Sequence, residues 1–335
     1  MESLGIKIKK NCRNLFAGIR EFGLFVGLKR YFYYEVFIRF GKCRDKYISV
    51  VYNYYEDFLK KQIEEYKSFP KQECGEIVKN IWVCWWQGYD AMPDLCKMCF
   101  HNLKRYVPTG YNLTLVTRDN YYEFVELPQI ILEKVDKGIL PITQFSDILR
   151  NALLHKIGGL WIDSSIWITP GYFDSVDWNR SFWSIKLDHV FKEYMIGQVI
   201  SGCRWSSFNM YGKKGNLANR FVYEAMVKFY TEHNQTLDYF GQNFFFRVAY
   251  NNVPQITKLI DEIPLSNSHI YYLFLRMNQP FNEEEWKEMC SDQGAFKLSQ
   301  KTTYLDEYDG KMTFAGYLRK LNAENLEIEE KHIRK

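Results

Sequence analysis

The 335-residue chain contains 44 Lys and Arg against 40 Asp and Glu, a formal net charge of +4, and 18% of its residues are aromatic. Its 47% apolar and 25% charged residues are typical of a folded soluble protein and exclude a disordered or fibrous one. Residues 1–50 hold 11 Lys or Arg against 4 Asp or Glu, so residues 51–335 sum to −3. A nucleic-acid partner is therefore excluded, and an anionic partner is expected only at the first 50 residues.

Residues 1–70 are predicted to form a basic, aromatic-rich amphipathic helical segment. Its apolar residues recur at steps of three and four between Lys and Arg residues, and its longest early apolar run covers only residues 22–28. That run is too short to span a bilayer, and we find no secretory signal. Two interpretations remain open: the segment lies on an anionic membrane surface, or it packs as helices on the rest of the protein or on another subunit.

The eight cysteines are too few for a disulfide scaffold. Cys96 and Cys99 form a C-x-x-C pair followed by His101, but no second ligand pair with zinc-site spacing follows them. Both thiols fall on the apolar side of a predicted helix over residues 93–106. We therefore expect buried thiols in a protein of the reducing cytoplasm.

From residue 77 onward, predicted strands and helices alternate. Residues 143–157 show the clearest helical period, and Gly158-Gly159 follows them as a stop signal. Apolar runs predict strands over residues 81–86, 112–117 and 160–162. The alternation predicts an α/β domain over residues 75–320 with a mostly parallel sheet, followed by a charged tail over residues 321–335. Its ligand site is expected beyond the carboxyl ends of the strands.

The most informative polar residues surround the third predicted strand. Asp147 and Arg150 are one helical turn apart, on the side opposite the apolar stripe, where they can hydrogen-bond sugar hydroxyls. Asp163 follows a buried strand and is followed by Ser164 and Ser165, so this turn offers oxygen ligands for Mg²⁺ or Mn²⁺. Such an ion can bridge the phosphates of a nucleotide sugar and stabilise the leaving diphosphate.

Three motifs in this order resemble the capsular polysaccharide synthesis glycosyltransferases, relatives of glycosyltransferase family 32 and of the large clostridial glucosylating toxins. They are IWVCWWQG at residues 81–88, FSDILR at 145–150 and GGLWIDSSIWI at 158–168. The resemblance extends from about residue 77 to about residue 320. It implies a bacterial enzyme with a GT-A fold that uses a metal ion and a nucleotide-sugar donor and retains the anomeric configuration.

The resemblance also implies roles for individual residues. Trp85 matches the tryptophan that stacks on the base of the donor, and Asn120 matches a position near the nucleotide. Asp147 and Arg150 match the pair that grips the transferred sugar. Asp163 matches the first aspartate of the D-x-D metal motif.

The sequence departs from this pattern at the second aspartate of D-x-D, where Ser165 stands. The substitution removes one negative charge from the expected metal site, so another ligand has to come from elsewhere. The candidates for metal or phosphate contacts late in the chain are His269, Ser299 and the pair Lys297 and Lys301.

A second departure concerns Asp238, which matches the first acid of a family stretch whose second acid is replaced here by Asn243. In retaining transfer the leaving diphosphate can accept the proton of the acceptor, and an acid nearby then orients the acceptor hydroxyl. We assign Asp238 this role, with a helix N-cap as the structural alternative.

The sequence thus predicts a cytoplasmic glycosyltransferase, bound peripherally to the inner face of the cell membrane. Its expected donor is a nucleotide sugar, a UDP-sugar in preference to a GDP-sugar, and its expected acceptor is a lipid-linked saccharide or another oligosaccharide. Two alternatives remain open: transfer to a protein side chain, and a catalytically silent subunit that binds nucleotide sugars.

Overall fold

The computed structural model describes residues 14–36, 41–69, 75–191, 195–266, 269–292 and 294–333. Within them the chain forms a central five-stranded sheet of order β2-β1-β3-β6-β5 and two small two-stranded sheets, β4-β7 and β8-β9. The strands are β1 Asn80–Cys84, β2 Asn112–Val116, β3 Gly159–Ile162, β4 Ile166–Ile168, β5 Phe182–Ser184, β6 Asn209–Gly212, β7 Ala295–Lys297, β8 Glu307–Tyr308 and β9 Lys311–Met312.

The described helices flank the central sheet and complete the amino- and carboxyl-terminal parts. They are α1 (residues 14–22), α2 Leu24–Tyr31, α3 Gly41–Phe58, α4 Lys60–Lys67, α5 Asp94–Tyr106, α6 Gln129–Asp136, α7 Ile142–Lys156, α8 Met195–Ser201, α9 Leu217–Glu232, α10 Gly241–Asn252, α11 Pro254–Asp261, α12 Tyr272–Arg276, α13 Glu283–Asp292 and α14 Phe314–Ile333.

The central sheet is mainly parallel. Strand β1 pairs in parallel with both β2 and β3, whereas β6 runs antiparallel to β3 and to β5. Strands β2, β1, β3 and β5 therefore point the same way and β6 points the other way. This arrangement confirms the predicted α/β class with a mostly parallel sheet, and the three strands predicted from apolar runs are β1, β2 and β3.

The turn between α7 and β3 depends on two glycines. Gly158 and Gly159 have φ angles of 94° and 116°, which side chains other than hydrogen rarely allow. A Cβ atom at Gly159 would lie 2.5 Å from the Asn80 carbonyl oxygen. The indole of Trp82 donates to the Gly158 carbonyl over 2.9 Å. These contacts hold β3 against β1 directly after α7. Residues 146–150 of α7 are thereby brought close to residues 161–165 at the end of β3.

Helices α3 and α4 belong to the same hydrophobic core as the central sheet. Tyr47, Val51 and Tyr55 of α3 are buried in that core. The Gln62 amide donates to the Phe221 carbonyl over 3.0 Å. The predicted boundary near residue 70 therefore separates no independent core, and for α3 and α4 the structure favours the packing interpretation.

Helices α1 and α2 contact the core through one face only. The buried ring of Phe22 stacks on Phe229, and Arg30 donates to the Leu237 carbonyl over 2.6 Å. On the other face, Phe16 and Phe25 are exposed, the latter to 74%. No helix in the described residues is both long and apolar enough to cross a membrane.

The carboxyl-terminal part packs as a second hydrophobic cluster around Phe296, Phe314 and Leu318. The predicted charged tail from residue 321 does not begin a new segment, because α14 continues through it to Ile333; residues 334 and 335 lie outside the described residues. Strand β7 of this part pairs antiparallel with β4, with Lys297 opposite Ile166. That pairing carries the end of the chain to the turn after β3.

Candidate functional site

A cluster of charged side chains lies at the carboxyl end of β3, with Arg150 at its centre. One guanidinium nitrogen, Nη1, donates to Asp147 Oδ1 over 2.7 Å and also to the Gln242 side chain, and Nη2 donates to Asp163 Oδ1 over 3.2 Å. The guanidinium carbon lies 4.8 Å from the centre of the Trp161 ring. Only 5% of the Arg150 side chain is exposed. A single cation therefore joins the two aspartates that the sequence predicted separately.

Local structure explains why these groups meet. Asp147 and Arg150 lie one turn apart on α7, which places their side chains on the same side of the helix. Asp163 is the first residue after β3. Its backbone N–H donates to the Phe208 carbonyl over 2.9 Å, and its carbonyl accepts from the Ile166 N–H over 3.0 Å. The carboxylate is thereby held at the strand end, facing α7.

Lys297 approaches the same strand end from β7. Its ammonium nitrogen lies 2.8 Å from Asp163 Oδ2 and 2.9 Å from the Ser165 hydroxyl oxygen. The backbone N–H of Leu298 donates to the Ser165 carbonyl over 2.9 Å and holds the two segments together. The Lys297 side chain is 17% exposed and that of Asp163 is 27% exposed. The cluster thus remains open to solvent on the side of Asp163 and Lys297.

The two aspartates of the cluster have opposite pKa shifts. Burial raises the pKa of the Asp147 carboxyl to about 6, although the neighbouring Arg150 charge opposes this effect. For Asp163 burial also acts upward, but the positive charges of Lys297 and Arg150 outweigh it and hold the pKa below the ordinary value. Asp163 is therefore ionised at neutral pH, whereas the raised pKa of Asp147, about 6, lies closer to neutrality.

The turn after β3, which consists of Asp163, Ser164 and Ser165 and is called the D-x-S turn below, does not fit the expected divalent cation. Both carboxylate oxygens of Asp163 already accept hydrogen bonds, one from Arg150 and Trp161 and the other from Lys297. The Ser165 hydroxyl is 2.9 Å from the same ammonium group. Among the described residues, no group of three or more His, Cys, Asp or Glu side chains could hold a metal ion. A dication here would face Lys297 without a second carboxylate.

Strand β1 ends at Cys84, before the predicted end at residue 86, so Trp85 directly follows the strand; its ring is half-buried. Its backbone N–H continues the sheet by donating to the Val116 carbonyl over 3.0 Å. Its indole N–H is buried without a hydrogen-bond partner in the described part of the chain. The neighbouring Trp82 and Trp86 are buried in the core instead.

Asn120 has a structural role in the loop after β2. Its side-chain oxygen accepts from the Thr117 backbone N–H over 2.8 Å, and its side-chain nitrogen donates to the Leu115 carbonyl over 3.0 Å. Both ends of the amide are thus bound to the protein backbone, and the contact of Asn120 with the nucleotide stays a prediction. The residue shapes the loop beside the site.

Asp238 lies away from the cluster and is only 4% exposed. One carboxylate oxygen accepts from the Tyr47 hydroxyl and the other accepts from the Phe240 backbone N–H over 2.6 Å. Burial raises the pKa of this carboxyl. These contacts tie α3 to the loop before α10, and the role of Asp238 towards the acceptor stays a prediction. Asp238 does not cap α10, since the residue before that helix is Phe240.

The remaining predicted residues lie on different parts of the fold: Asn243 on α10, His269 before α12, and Ser299 after β7. Asn243 accepts from the Trp205 indole over 3.2 Å and is buried. The His269 ring stacks on Tyr272 with 4.2 Å between centroids. The Ser299 hydroxyl accepts from the Lys301 backbone N–H over 3.3 Å. None of the described contacts of His269 or Ser299 reaches Asp163, whereas Lys297 does.

Lys301 lies with its ammonium nitrogen 5.8 Å from the centre of the Tyr239 ring. Tyr239 is exposed at this edge, and the negative charges of Asp147 and Asp163 add to burial in raising the pKa of its hydroxyl. An exposed aromatic ring and a lysine therefore stand beside the charged cluster. Sequence reasoning did not select Tyr239.

Sequence reasoning also missed Gln242 and the indole of Trp161 as partners of the cluster. Gln242 lies on α10, 92 positions from Arg150, and no spacing in the sequence connects them. Trp161 was readable as a strand residue two positions before Asp163, but its indole N–H, 2.9 Å from Asp163 Oδ1, was not predicted. Alternation along β3 would have been the available signal, because residues two apart face the same side.

The thiols of Cys96 and Cys99 are buried and free, as predicted. Burial is the main reason that the pKa of each thiol is raised. The Ser164 hydroxyl contacts the Cys96 sulfur over 3.6 Å. These cysteines form part of the packing beneath the D-x-S turn.

The chain was compared with curated proteins and with solved structures. No curated protein matches the sequence at a significant level. Among solved structures, a chain described as "PaToxG Glycosyltransferase" is similar over 74% of this chain and 95% of its own length, with 13% sequence identity and a TM-score of 0.37.

The family model described as "Capsular polysaccharide synthesis protein" matches residues 36–318. The match begins well before the predicted boundary at residue 70 and includes α3 and α4, in agreement with their burial in the common core. It ends within α14. The chain therefore belongs to the capsular polysaccharide synthesis protein family.

Proposed function

We propose that this protein is a retaining glycosyltransferase of capsular or surface polysaccharide synthesis, with a UDP-sugar as donor. The observation that carries the proposal is the guanidinium of Arg150, which joins Asp147 and Asp163 at the carboxyl end of a parallel strand. In open α/β sheets this edge is where ligands bind. Its family membership supplies the polysaccharide context.

In this proposal the transferred sugar lies against Asp147 and Arg150, whose polar atoms hold its hydroxyl groups. The base of the donor stacks on the half-buried ring of Trp85, a contact of about 1–3 kcal/mol. The diphosphate lies between them, beside the cations of the cluster. No step of the proposal depends on a metal ion: the divalent cation expected from the resemblance stays a prediction, and the residues at the D-x-S turn do not fit it.

We further propose that the acceptor is a lipid-linked saccharide at the inner face of the cell membrane. The support is an exposed surface of α1 and α2 that combines apolar rings with cations. Its residues are Phe16, Arg20, Leu24, Phe25 and Lys29, together with Phe32 directly after α2. A helix pair that packs one face on the core and exposes rings and basic groups on the other is suited to an anionic lipid surface.

Donor hydrolysis tests the transfer activity. The purified protein is incubated with a panel of UDP- and GDP-sugars, both with Mn²⁺ and with EDTA, and released nucleoside diphosphate is measured. We expect one UDP-sugar to be hydrolysed and Asp163→Asn to reduce its turnover at least 100-fold. Asp309→Asn is the matched control, since Asp309 lies in the exposed β8–β9 turn at φ 52°, which asparagine tolerates. Binding of a nucleotide without turnover of any donor would instead identify a silent subunit.

Sedimentation with vesicles tests the membrane contact. Replacing Phe16, Leu24 and Phe25 by Ser should abolish binding to phosphatidylglycerol vesicles, which wild type is expected to bind in a salt-sensitive manner. The control replaces Tyr122, Leu265 and Leu305 by Ser; these are exposed large hydrophobic residues elsewhere on the protein. If the first variant still sediments like wild type, the membrane proposal is wrong, and a protein acceptor becomes the first alternative.

A further inference from the structure

We propose that the ammonium group of Lys297 takes the place of the divalent cation at the leaving diphosphate, so that this protein binds and activates its nucleotide-sugar donor without a metal ion. The inference rests on the proposed glycosyl transfer and specifies how its donor is held. The metal ligands expected from the sequence, Asp163 and Ser165, are both within 2.9 Å of the Lys297 nitrogen. The position between them thus already holds a positive charge.

The charge of the cluster supports this assignment. Two carboxylates, Asp147 and Asp163, are balanced by two cations, Arg150 and Lys297. A divalent cation would add two positive charges beside Lys297 and would lack a second carboxylate, because Ser165 stands where D-x-D sites carry one. A diphosphate anion meets the opposite situation, since the ammonium ion attracts it and Lys301 stands at the same edge.

The backbone fixes Lys297 at this place. Its residue pairs with Ile166 across β4 and β7, its own N–H donates to the Ile270 carbonyl over 2.8 Å, and the next N–H binds the Ser165 carbonyl. The ammonium nitrogen is 5.2 Å from the centre of the Phe208 ring. With its stem held by a sheet, the group is preorganised for a phosphate oxygen, which is the condition for strong electrostatic stabilisation.

The ammonium group also retains donor capacity and access. A lysine carries three N–H donors, and the contacts with Asp163 and Ser165 use two. The third can donate to an oxygen of the diphosphate, because the side chain is partly exposed. This makes Lys297 a bridge between the aspartate of the D-x-S turn and the donor, which is the geometric role of the ion in D-x-D sites.

In the transfer reaction Lys297 acts on the leaving diphosphate. The bond between the sugar C1 and the diphosphate oxygen breaks, and its electron pair stays on that oxygen, where Lys297 stabilises the new charge by a hydrogen bond without losing its proton. The acceptor hydroxyl oxygen forms the new bond to C1, and its proton passes to the leaving diphosphate. The products are the glycosylated acceptor and a nucleoside diphosphate.

Calorimetric titration with UDP tests the inference directly. In EDTA we expect wild type to bind UDP, and excess Mn²⁺ to change the dissociation constant less than about threefold. Lys297→Met, which keeps an unbranched stem, should weaken binding in EDTA by about 10- to 100-fold, the effect of losing one charge-assisted hydrogen bond. Lys287→Met on the exposed face of α13 removes the same charge and should change nothing.

A second variant is expected to gain a property, a requirement for Mn²⁺, and so tests more than a loss of UDP binding. Lys297→Asp would add a carboxylate beside Asp163 and Ser165 and remove the competing cation, which creates a set of oxygen ligands suited to Mn²⁺. We expect its UDP binding and donor hydrolysis to require Mn²⁺, with little of either in EDTA. Thermal unfolding of each variant, followed by circular dichroism, shows that the fold is retained; if neither Lys297 variant folds, the wild-type titration in EDTA decides.

The outcomes separate the inference from the proposed function. Wild-type UDP binding that disappears in EDTA and returns with Mn²⁺ overturns the inference, while Mn²⁺-dependent donor turnover would leave the proposed function standing. Binding in EDTA that depends on Lys297, together with no turnover of any donor, supports the metal-free binding of the diphosphate by Lys297 but overturns the transfer activity and the activation of the donor. Equal affinity of wild type and Lys297→Met in EDTA also overturns the inference.

Discussion

Asp163 and Asp238 are carboxylates that sequence reasoning placed in one site, yet their surroundings differ in a decisive way. Asp163 ends a strand between Arg150 and Lys297, and 27% of its side chain is exposed. Asp238 lies between Tyr47 and a backbone N–H, with 4% exposure and no described ion pair. Their pKa shifts run in opposite directions, downward for Asp163 and upward for Asp238.

The difference teaches how a buried acid can be assigned a role. A carboxylate that is compensated by two cations and still reaches solvent can exchange part of its compensation for a ligand. A carboxylate whose oxygens are both closed by neutral donors holds two parts of the protein together, here α3 and the loop before α10. Substitutions at these carboxylates and their partners can break this contrast or measure it.

Arg150→Met should have the largest effect, because it removes the cation shared by Asp147 and Asp163. We expect the free energy of unfolding to fall by about 3–5 kcal/mol, the cost of leaving buried charges unpaired. Donor hydrolysis should fall at least 100-fold. Urea denaturation and turnover measure the two effects. Arg118→Met, which breaks the exposed pair with Asp136, is the control and should stay within about 1 kcal/mol of wild type.

Asp147→Asn should stabilise the protein at neutral pH. The folded-state pKa of about 6 lies above the ordinary 3.8, so this group favours the folded state fully below pH 3.8 and loses that contribution as the pH rises through 6. Over this window the loss amounts to about 3 kcal/mol. Urea denaturation between pH 4 and pH 7 should therefore show the advantage of the variant growing with pH by up to that amount. A difference independent of pH would contradict the raised pKa of Asp147.

Tyr47→Phe should destabilise the protein without affecting its chemistry. The variant leaves one oxygen of the buried Asp238 carboxyl without its donor, which costs about 1.5–3 kcal/mol. Donor hydrolysis, measured well below the melting temperature, should stay within about twofold of wild type. The opposite pattern, with stability retained and turnover lost, would return Asp238 to the catalytic role that the sequence suggested.

Asn120→Ala should have the smallest effect of the four. It removes three side-chain hydrogen bonds within the loop after β2 and is expected to cost about 1–2 kcal/mol of stability. Calorimetric titration should show a change in UDP affinity of less than about threefold. A loss of affinity with no loss of stability would mean that Asn120 contacts the nucleotide and does not only shape the loop.

Much of the fold was readable from local patterns. The helical period over residues 143–157 and the glycine pair after it predicted α7 and its end, and the apolar runs predicted β1, β2 and β3. Asp147 and Arg150 were recognisable as neighbours because one helical turn separates them. Membership of the capsular polysaccharide synthesis family was predicted from motifs between residues 81 and 168 and is confirmed.

The sequence by itself therefore determined the class of fold, the family and the two sides of the site, α7 and the D-x-S turn. Only the tertiary structure decided what completes that site. Lys297 meets Asp163 across 134 positions, and Tyr47 closes Asp238 across 191. The physical reason is that periodicity and turn chemistry act over a few residues, whereas the pairing of β4 with β7 and the packing of α3 on α10 depend on the whole core. Which group faces each aspartate therefore depends on this long-range packing.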